Sequence, residues 1–323
     1  MSQMLAEMRE QPRLLKERAG PLFEQAREAA PKERPSLILF VARGSSDNAC
    51  LYARYLFEAR LGVPVSLAAP SVITRYGSDL RFPSPSLVIG VSQSAAAPDV
   101  AEFLGHARER GCHTLSVTNA EKGPVADAAE HRIFLGAGAE KAVAATKTFT
   151  LSQLALYQLA RAMGAPLPEP DLAEASERAL SDSDGDAFAE KIVKADLSFT
   201  LGRGFHFGVA YEAALKLIEC ALVPCKPYSL ADFAHGPMAL AGPASCALLF
   251  GLDRTDSTAK SVKRRLRSTG ASLLQAPTET SLPEELRPIP AVIFAQRVAH
   301  AAAMGRGLDP DRPRHLHKVT RTW

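Results

Sequence analysis

Three charged residues in the second half of the sequence have types and a spacing that could move protons. Glu212, Lys216 and Glu219 lie at i, i+4 and i+7 of the segment YEAALKLIE, so a helix would place all three on one face. In a cleft, a carboxylate beside an ammonium can transfer a proton between neighbouring atoms of a substrate. The alternative is a solvent-facing stripe in which a Glu–Lys pair slightly stabilises the helix.

A histidine follows this segment in the sequence KPYSLADFAHGPMAL. His235 comes three residues after Asp232, and Gly236 and Pro237 close the loop behind it. Histidine changes charge near neutral pH, which suits a general acid or base. A structural or solvated histidine is the alternative that remains open from sequence alone.

The C-terminal segment GLDPDRPRHLHKVTRTW is polar, contains two prolines and has no helical period. We expect it to lie extended over the surface, with Lys318 either solvated or part of a site. His315 and His317 form an HxH pair without a nearby third ligand, so we predict no metal site there.

Two hydroxyl-rich turns in the first half of the sequence each follow a short apolar run. In a parallel sheet such turns lie at the carboxyl ends of strands, where ligands bind, and the next helix begins with unpaired backbone N–H groups that suit a phosphate. Neither turn matches the GxxxxGK[ST] or GxGxxG pattern of nucleotide-binding loops, which argues against ATP and NAD. The two turns are Gly44-Ser45-Ser46 and Ser92-Gln93-Ser94.

The elements that must position these residues are short apolar runs that alternate with helical patterns. Such alternation predicts a doubly wound α/β fold with parallel strands and helices on both faces. The first strands are expected in SLILFVA, VPVSLAA, SLVIGVS, HTLSVTN and HRIFLGA.

The chain also repeats itself, which predicts two similar α/β domains. A shift of 160 positions superposes a strand, an Arg-Gly turn and a helix with five identities, namely Arg43-Gly44 on Arg203-Gly204, Ala53 on Ala213, and Val63-Pro64 on Val223-Pro224. The predicted organisation is a helical segment at 1–30, domains at 31–165 and 190–305, a linker at 166–189 and a tail at 306–323.

The net charge, the cysteines and the lengths of the apolar runs limit the classes of protein that this sequence can belong to. The net charge of +3 over 323 residues gives no reason to expect nucleic acid or a membrane surface as a partner. The five cysteines are odd in number and lack zinc or redox spacing, which favours reduced thiols and a cytoplasmic location. The charged N-terminus is not expected to be a signal peptide, and no apolar run approaches the ~20 residues that span a bilayer.

Taken together, these segments resemble the sugar isomerase (SIS) family over nearly the whole chain. Within that family they resemble the isomerase half of glutamine–fructose-6-phosphate aminotransferase and the stand-alone glucosamine-6-phosphate deaminases. The segments that carry the resemblance are ARGSSDNA, VSQSAAAPDV, AVAATKTFT, LGRG with YEAALKLIE, DFAHGPMAL and DPDRPRHLHKVTRT. The resemblance implies two tandem flavodoxin-like domains and a homodimer with its active site between domains and near the subunit interface.

The resemblance also implies a role for each candidate residue. Glu219 would shuttle the proton, with Glu212 and Lys216 assisting, His235 would open the sugar ring, and Lys318 could form a Schiff base with an open-chain ketose. The residues implied in substrate binding are Ser45, Ser46, Ser92, Gln93, Ser94 and the backbone of Val143 and Ala144. No metal or redox cofactor is implied.

The expected function is therefore that of a hexosamine-6-phosphate deaminase/isomerase, which converts glucosamine 6-phosphate to fructose 6-phosphate and ammonia. The sequence lacks the glutaminase half of the aminotransferase, so free ammonia should be used or released. The alternatives are another phosphosugar aldose–ketose isomerase, a galactosamine-6-phosphate deaminase, or a module that senses sugar phosphates without turnover. The phosphate loop also departs from the family, because Ala95, Ala96 and Ala97 replace its usual glycine, charged residue and hydroxyl residue. We therefore expect a raised KM for the phosphorylated substrate, or a substrate whose phosphate lies differently.

Overall fold

Two parallel β-sheets, each flanked by helices, form the chain in the computed structural model, which describes residues 1–252 and 256–318. This confirms the α/β class predicted from the alternating pattern. The final residues of the predicted tail, 319–323, lie outside the described part of the chain. Helix α1 (Gln3–Ala29) precedes the first sheet and coincides closely with the helical segment expected at 1–30.

The first sheet has the strand order β2-β1-β3-β4-β5, which is the order of flavodoxin-type folds. Its strands are β1 (Leu37–Ala42), β2 (Val65–Leu67), β3 (Ser86–Ser92), β4 (His113–Thr118) and β5 (His131–Phe134). Strand β3 is buried at every position, as its continuous apolar run predicts for a central parallel strand. Ala42 pairs with Val91, so β1 and β3 end side by side.

Five helices connect and cover these strands. They are α2 (Ser45–Leu61), α3 (Ser71–Thr74), α4 (Pro98–Glu109), α5 (Pro124–Ala128) and α6 (Lys147–Ala162). Gly90 in β3 allows α4 to pack closely, because a Cβ at this position would lie 2.4 Å from Cδ1 of Leu104.

The second sheet has the order β7-β6-β8-β9, formed by β6 (Leu197–Gly202), β7 (Cys225–Ser229), β8 (Ser245–Leu249) and β9 (Ser272–Gln275). Its register repeats that of the first sheet. Ile38 pairs with Val65, and Ser198 pairs with Cys225, so both partners are displaced by the same 160 positions. The internal repeat therefore applies to strand pairing as well as to sequence.

Six α-helices accompany the second sheet in the described part of the chain. They are α7 (Ala173–Ser181), α8 (Asp184–Lys194), α9 (Phe207–Ala221), α10 (Leu230–Ala234), α11 (Ser257–Ser268) and α12 (Pro288–Gly305). Residues 166–189, which we predicted as a linker, contain α7 and the first half of α8. Ala175 and Ala189 are buried there, so these short amphipathic helices contribute to a core.

The chain divides into two compact units whose sequences interleave. We call them the first-sheet unit, with residues 13–140, 147–170 and Lys318, and the second-sheet unit, with the described residues of 1–12, 141–146 and 171–317. Each has its own hydrophobic core, centred on Val88 and Phe103 in the first and on Phe199 and Leu249 in the second. Among the described residues, no helix combines the length and the apolar character that a bilayer crossing needs.

Candidate active site

Helix α9 brings Glu212, Lys216 and Glu219 together, as their spacing predicts. The ammonium Nζ of Lys216 lies 2.5 Å from Oε2 of Glu219 and 3.4 Å from Oε1 of Glu212. The side chains of Glu212 and Lys216 are 0% and 1% exposed, whereas that of Glu219 is 20% exposed. The row therefore does not form the solvent-facing stripe that was the alternative interpretation, and Glu219 is its one accessible carboxylate.

The charges in this row determine what each residue can do. Burial alone lowers the pKa of Lys216, but the neighbouring carboxylates of Glu212 and Glu219 outweigh it and raise that pKa above its ordinary value. Lys216 therefore remains a cation and cannot serve as a base. A fixed buried cation beside an accessible carboxylate can stabilise negative charge that develops on a substrate oxygen while the carboxylate takes a proton.

His235 belongs to the same unit but to a different element. It ends the short helix α10, donates its backbone N–H to the carbonyl oxygen of Asp232 at 3.0 Å, and has an exposed side chain. Ser229 caps this helix by accepting the backbone N–H of Asp232 at 3.0 Å and donating its hydroxyl to Oδ2 of Asp232 at 2.6 Å. These contacts fix the turn, so the histidine is presented to solvent from a defined backbone.

Val143 and Ala144 lie in a loop that is fixed by residues far away in sequence. Glu7, which is fully buried on α1, accepts the backbone N–H of Lys141 at 2.5 Å and that of Ala142 at 3.4 Å. The backbone N–H of Val143 donates to the carbonyl oxygen of Asp311 at 3.3 Å. The role of Glu7 was not predicted, because nothing in the sequence of α1 distinguishes a buried glutamate from an exposed one.

In the first-sheet unit, the two hydroxyl-rich turns are neighbours at the carboxyl edge of the sheet. Gly44 adopts a left-handed conformation, with φ of 56°, and α2 begins at Ser45 without a side-chain cap. Because β1 and β3 pair up to Ala42 and Val91, the turn that begins at Ser92 lies beside it. Ser45, Ser46, Gln93 and Ser94 are half-buried, and Ser92 is buried. The hydroxyl groups of both turns and the N-termini of α2 and α4 therefore lie at the same edge of the first sheet.

The three alanines of the second turn occupy positions where other residue types are favoured. Ala95 has φ of 55°, a left-handed conformation that costs an L-residue about 1 kcal/mol relative to glycine. Ala97 is the N-cap of α4 and provides no side-chain hydrogen bond, although serine and threonine are preferred there. The turn thus has a strained backbone at Ala95 and no capping side chain at Ala97.

An ion pair beside these turns was not predicted. Nε of Arg43 donates to Oδ2 of Asp99 at 2.7 Å, and Asp99 is buried at the start of α4. Burial raises the pKa of nearby Asp47, and the charge of Arg43 offsets part of this rise. The two partners are 56 residues apart, so neither composition nor local period could have paired them.

Lys318 also has an unexpected partner. Its Nζ lies 2.7 Å from Oε2 of Glu140, whose side chain is fully buried. The same carboxylate accepts the backbone N–H of Thr148 at 3.1 Å and the hydroxyl of Thr148 at 2.7 Å. Lys318 therefore contacts a carboxylate that other hydrogen bonds already hold in position.

The described residues contain no group of His, Cys, Asp and Glu side chains that could hold a metal ion. The cysteines at positions 50, 112, 220, 225 and 246 are all free and buried. Burial raises the pKa of Cys220 and Cys225 to about 12, so these thiols stay protonated and unreactive.

The fold agrees with what comparison to known proteins shows. Residues 34–162 match the SIS domain family, so the resemblance drawn from the motifs is confirmed for this part of the chain. The chain is 33% identical over 361 residues to glutamine–fructose-6-phosphate aminotransferase (isomerizing) of Symbiobacterium thermophilum, in a match that covers 98% of this chain and 58% of that protein. It spans about half the length of the curated relatives it matches.

Solved structures show the same fold. The glucosamine-6-phosphate deaminase of Thermotoga maritima is 26% identical with a TM-score of 0.78, over 99% of this chain and 100% of that one. The C-terminal domain of glucosamine-fructose-6-phosphate aminotransferase from Francisella tularensis is 22% identical with a TM-score of 0.83, over 97% and 98%.

Proposed function

We propose that this chain is a phosphosugar isomerase of the SIS type and, more specifically, that it converts glucosamine 6-phosphate to fructose 6-phosphate and ammonia. The observation that carries the proposal is the row on α9, in which accessible Glu219 lies 2.5 Å from the buried cation of Lys216. Aldose–ketose isomerisation needs this combination, because a base must move a proton between C2 and C1 while an adjacent oxygen gains negative charge.

The proposed reaction assigns one step to each group. His235 opens the ring by proton transfer at the ring oxygen, and Glu219 then takes the proton from C2 of the open-chain aldose. Lys216 stabilises the oxygen on C1 as it gains charge. Glu219 returns the proton to C1, while the C1 oxygen takes up a proton and the amine nitrogen on C2 loses one. The product is an imine at C2, which water hydrolyses to the ketone with loss of ammonia. We assign phosphate and sugar binding to the serines of the two turns, with Gln93, and to the Val143–Ala144 backbone.

We propose further that the second-sheet unit is a second SIS domain at 190–305, joined to a tail at 306–323 that carries Lys318. The repeated ion pair supports this. Arg43 and Asp99 of the first-sheet unit are matched by Arg203 and Asp256, whose side chains lie 3.0 Å apart. In each case the arginine follows the first strand of its sheet, and the aspartate lies at the start of the helix after the third. The common strand order and register provide independent support.

A homodimer is the third part of the proposal, and the second face of α9 supports it. Five apolar residues lie at i, i+4, i+8, i+11 and i+15, which aligns them along one side of the helix: Phe207, Tyr211, Leu215, Ile218 and Leu222. Ile218 is 43% exposed and Leu222 is 36% exposed. We propose that this apolar face packs against the same face of a second copy.

Leu222 is the most informative member of this face. It ends α9 in the left-handed conformation with φ of 51°, whereas its counterpart 160 residues earlier, Gly62, ends α2 with φ of 63°. Glycine adopts this conformation without strain, so a leucine there maintains an exposed apolar side chain at a cost in backbone energy.

The reaction is tested by incubating purified protein with glucosamine 6-phosphate and measuring ammonia and ketose in the same samples. Equal rates of appearance support the deaminase. Ketose formation from an aldose phosphate without ammonia would instead indicate a plain isomerase, and tight binding without either product would indicate a sensing module. Galactosamine 6-phosphate in parallel tests the choice of epimer. Glu219→Gln is the control, since its product formation must fall if α9 carries the chemistry.

A further inference from the structure

Glu140 is held in place independently of the lysine that it contacts. Thr148 is the second residue of α6, and Glu140 receives both its backbone N–H and its hydroxyl. A carboxylate at this position is also stabilised by the positive end of the helix dipole. The Glu140 side chain is fully buried, so these contacts fix the orientation of its two oxygens.

Lys318 is anchored much less firmly. Its side chain is 23% exposed, and the structure places its ammonium against Oε2 of Glu140 at 2.7 Å. If the ammonium leaves, Oε1 and Oε2 still accept the two Thr148 hydrogen bonds, so Glu140 does not become a buried charge without partners. The pair therefore joins a buried carboxylate that two further hydrogen bonds hold and an ammonium on a partly exposed side chain.

We propose that Glu140 orients Lys318 and takes the proton from its ammonium when that lysine attacks an open-chain ketose phosphate. This inference rests on the proposed function, whose product is a ketose phosphate, and on the Schiff base between Lys318 and an open-chain ketose that the family resemblance implies. An ammonium has no lone pair, so it must lose one proton before Nζ can form a bond to carbon. Glu140 Oε2 is at hydrogen-bond distance from that proton.

Imine formation at Lys318 conserves atoms and charge. The proton moves from Lys318 Nζ to Glu140 Oε2, and the Nζ lone pair then forms a bond to C2 as the carbonyl π electrons move to oxygen. That oxygen leaves as water after taking up the remaining amine protons, which gives a C2=Nζ imine. Protonation of Oε2 leaves Oε1 able to keep the backbone hydrogen bond from Thr148, so the acid form remains in position.

Reductive trapping tests this role directly. Fructose 6-phosphate is added to the full chain with borohydride, which reduces the imine to a stable amine, and the rate at which Lys318 gains the sugar is followed by peptide mass spectrometry. Glu140→Gln removes the charge with almost no change in shape. We expect its trapping rate to fall by about 100-fold or more, the range for loss of a proton-transfer group. The KM of turnover should change far less than kcat.

Thr148→Val is the matched control, because it removes a hydrogen bond to the same carboxylate oxygen but leaves the ion pair with Lys318. We expect it to trap at a rate within about 3-fold of the unmodified protein, since it removes no proton-transfer group. Equal losses in the two variants would mean that Glu140 only caps α6, and an unchanged rate in Glu140→Gln would equally overturn the proposal. Should Glu140→Gln fail to fold, Glu140→Asp retains the charge on a shorter side chain, and its rate must fall below that of Thr148→Val.

The trapping experiment and the ammonia assay of the proposed function can fail independently of each other. An adduct at Lys318 that depends on Glu140, without ammonia release from glucosamine 6-phosphate, would reject the deaminase and support this inference. Ammonia release together with a Lys318 adduct whose rate of formation is unaffected by Glu140→Gln would do the reverse. The absence of any Lys318 adduct in the unmodified protein would overturn the inference.

Discussion

Restoring a hydroxyl to the altered turn should strengthen phosphate binding. Ala97→Ser is the perturbation, because Ala97 is the N-cap of α4 and has φ of −72° and ψ of 109°, an extended conformation that serine adopts without strain. A serine hydroxyl at this position can accept a backbone N–H of the first turn and still donate its own hydrogen to a phosphate oxygen. The two effects can be measured separately.

The structure sets the size of each effect. A hydrogen bond to a charged group contributes about 1.5–3 kcal/mol, which corresponds to a roughly 10- to 150-fold lower Kd for a sugar phosphate. The capping gain in the ligand-free protein should lie near the low end of about 0.5–2 kcal/mol. The reason is that Oδ1 of Asp99 already accepts the backbone N–H of Val100 at 2.9 Å, so one of the exposed donors is taken.

Calorimetric titration with fructose 6-phosphate and with unphosphorylated fructose separates phosphate binding from sugar binding. Ala97→Ser should tighten only the phosphorylated ligand, and the unfolding temperature without ligand should rise by about 1 °C. Ala96→Ser, one position earlier in the same turn, is the matched control and should leave the Kd within about 3-fold, since Ala96 is not the N-cap. If Ala97→Ser raises the unfolding temperature and leaves the Kd unchanged, the hydroxyl caps the helix but does not reach the phosphate, and our account of the turn is wrong.

Three further predictions concern the second-sheet unit. Glu219→Gln should lower kcat by about 10²–10⁴-fold while sugar-phosphate binding, measured by calorimetry, is retained; near-normal turnover would remove Glu219 from the mechanism. Leu222→Gly should relieve backbone strain yet shift the protein toward monomer in sedimentation experiments, and Ile218→Asp should do so more strongly; an unchanged mass in both would reject the α9 face as an interface. Burial, and then the charge of Arg287, lower the pKa of His206 from 6.5 to about 4. Because the folded-state pKa is the lower one, this contribution to stability is complete above pH 6.5 and is lost as pH falls toward 4, by about 3 kcal/mol. Denaturant unfolding across this range should show that loss, and His206→Asn should lack it.

The local parts of this site were predictable because they follow from periodicity. A helix of 3.6 residues per turn places Glu212, Lys216 and Glu219 on one face whatever the fold around it, and the structure has them there. An apolar run followed by Gly44 likewise predicts a strand end and a helix start, which β1 and α2 provide.

The unpredicted parts are pairings between residues far apart in sequence. Glu140 meets Lys318 across 178 positions, and Glu7 meets Lys141 across 134. Neither partner is unusual in its own segment, so only the tertiary arrangement identifies them. The burial of α7 was not predicted for a related reason. Its Ser, Glu and Arg residues are typical of a linker, and only the tertiary structure shows that its other face is buried.

Comparison of the two repeats explains why the ligand-binding turns are assigned to the first sheet alone. Gly44 and Gly204 have φ of 56° and 57°, so the glycine of the Arg-Gly turn has a positive φ in both. The residue two positions later is Ser46 in one and His206 in the other. His206 is 4% exposed and packs so closely on Gly251 that a Cβ there would lie 2.1 Å from its Nδ1. The imidazole ring of His206 occupies the space beside the Arg203-Gly204 turn, and it stays neutral near pH 7. The neutral ring offers no positive charge to an anion, which supports our proposal that the turns of the first sheet bind the phosphate and that α9 carries the chemistry.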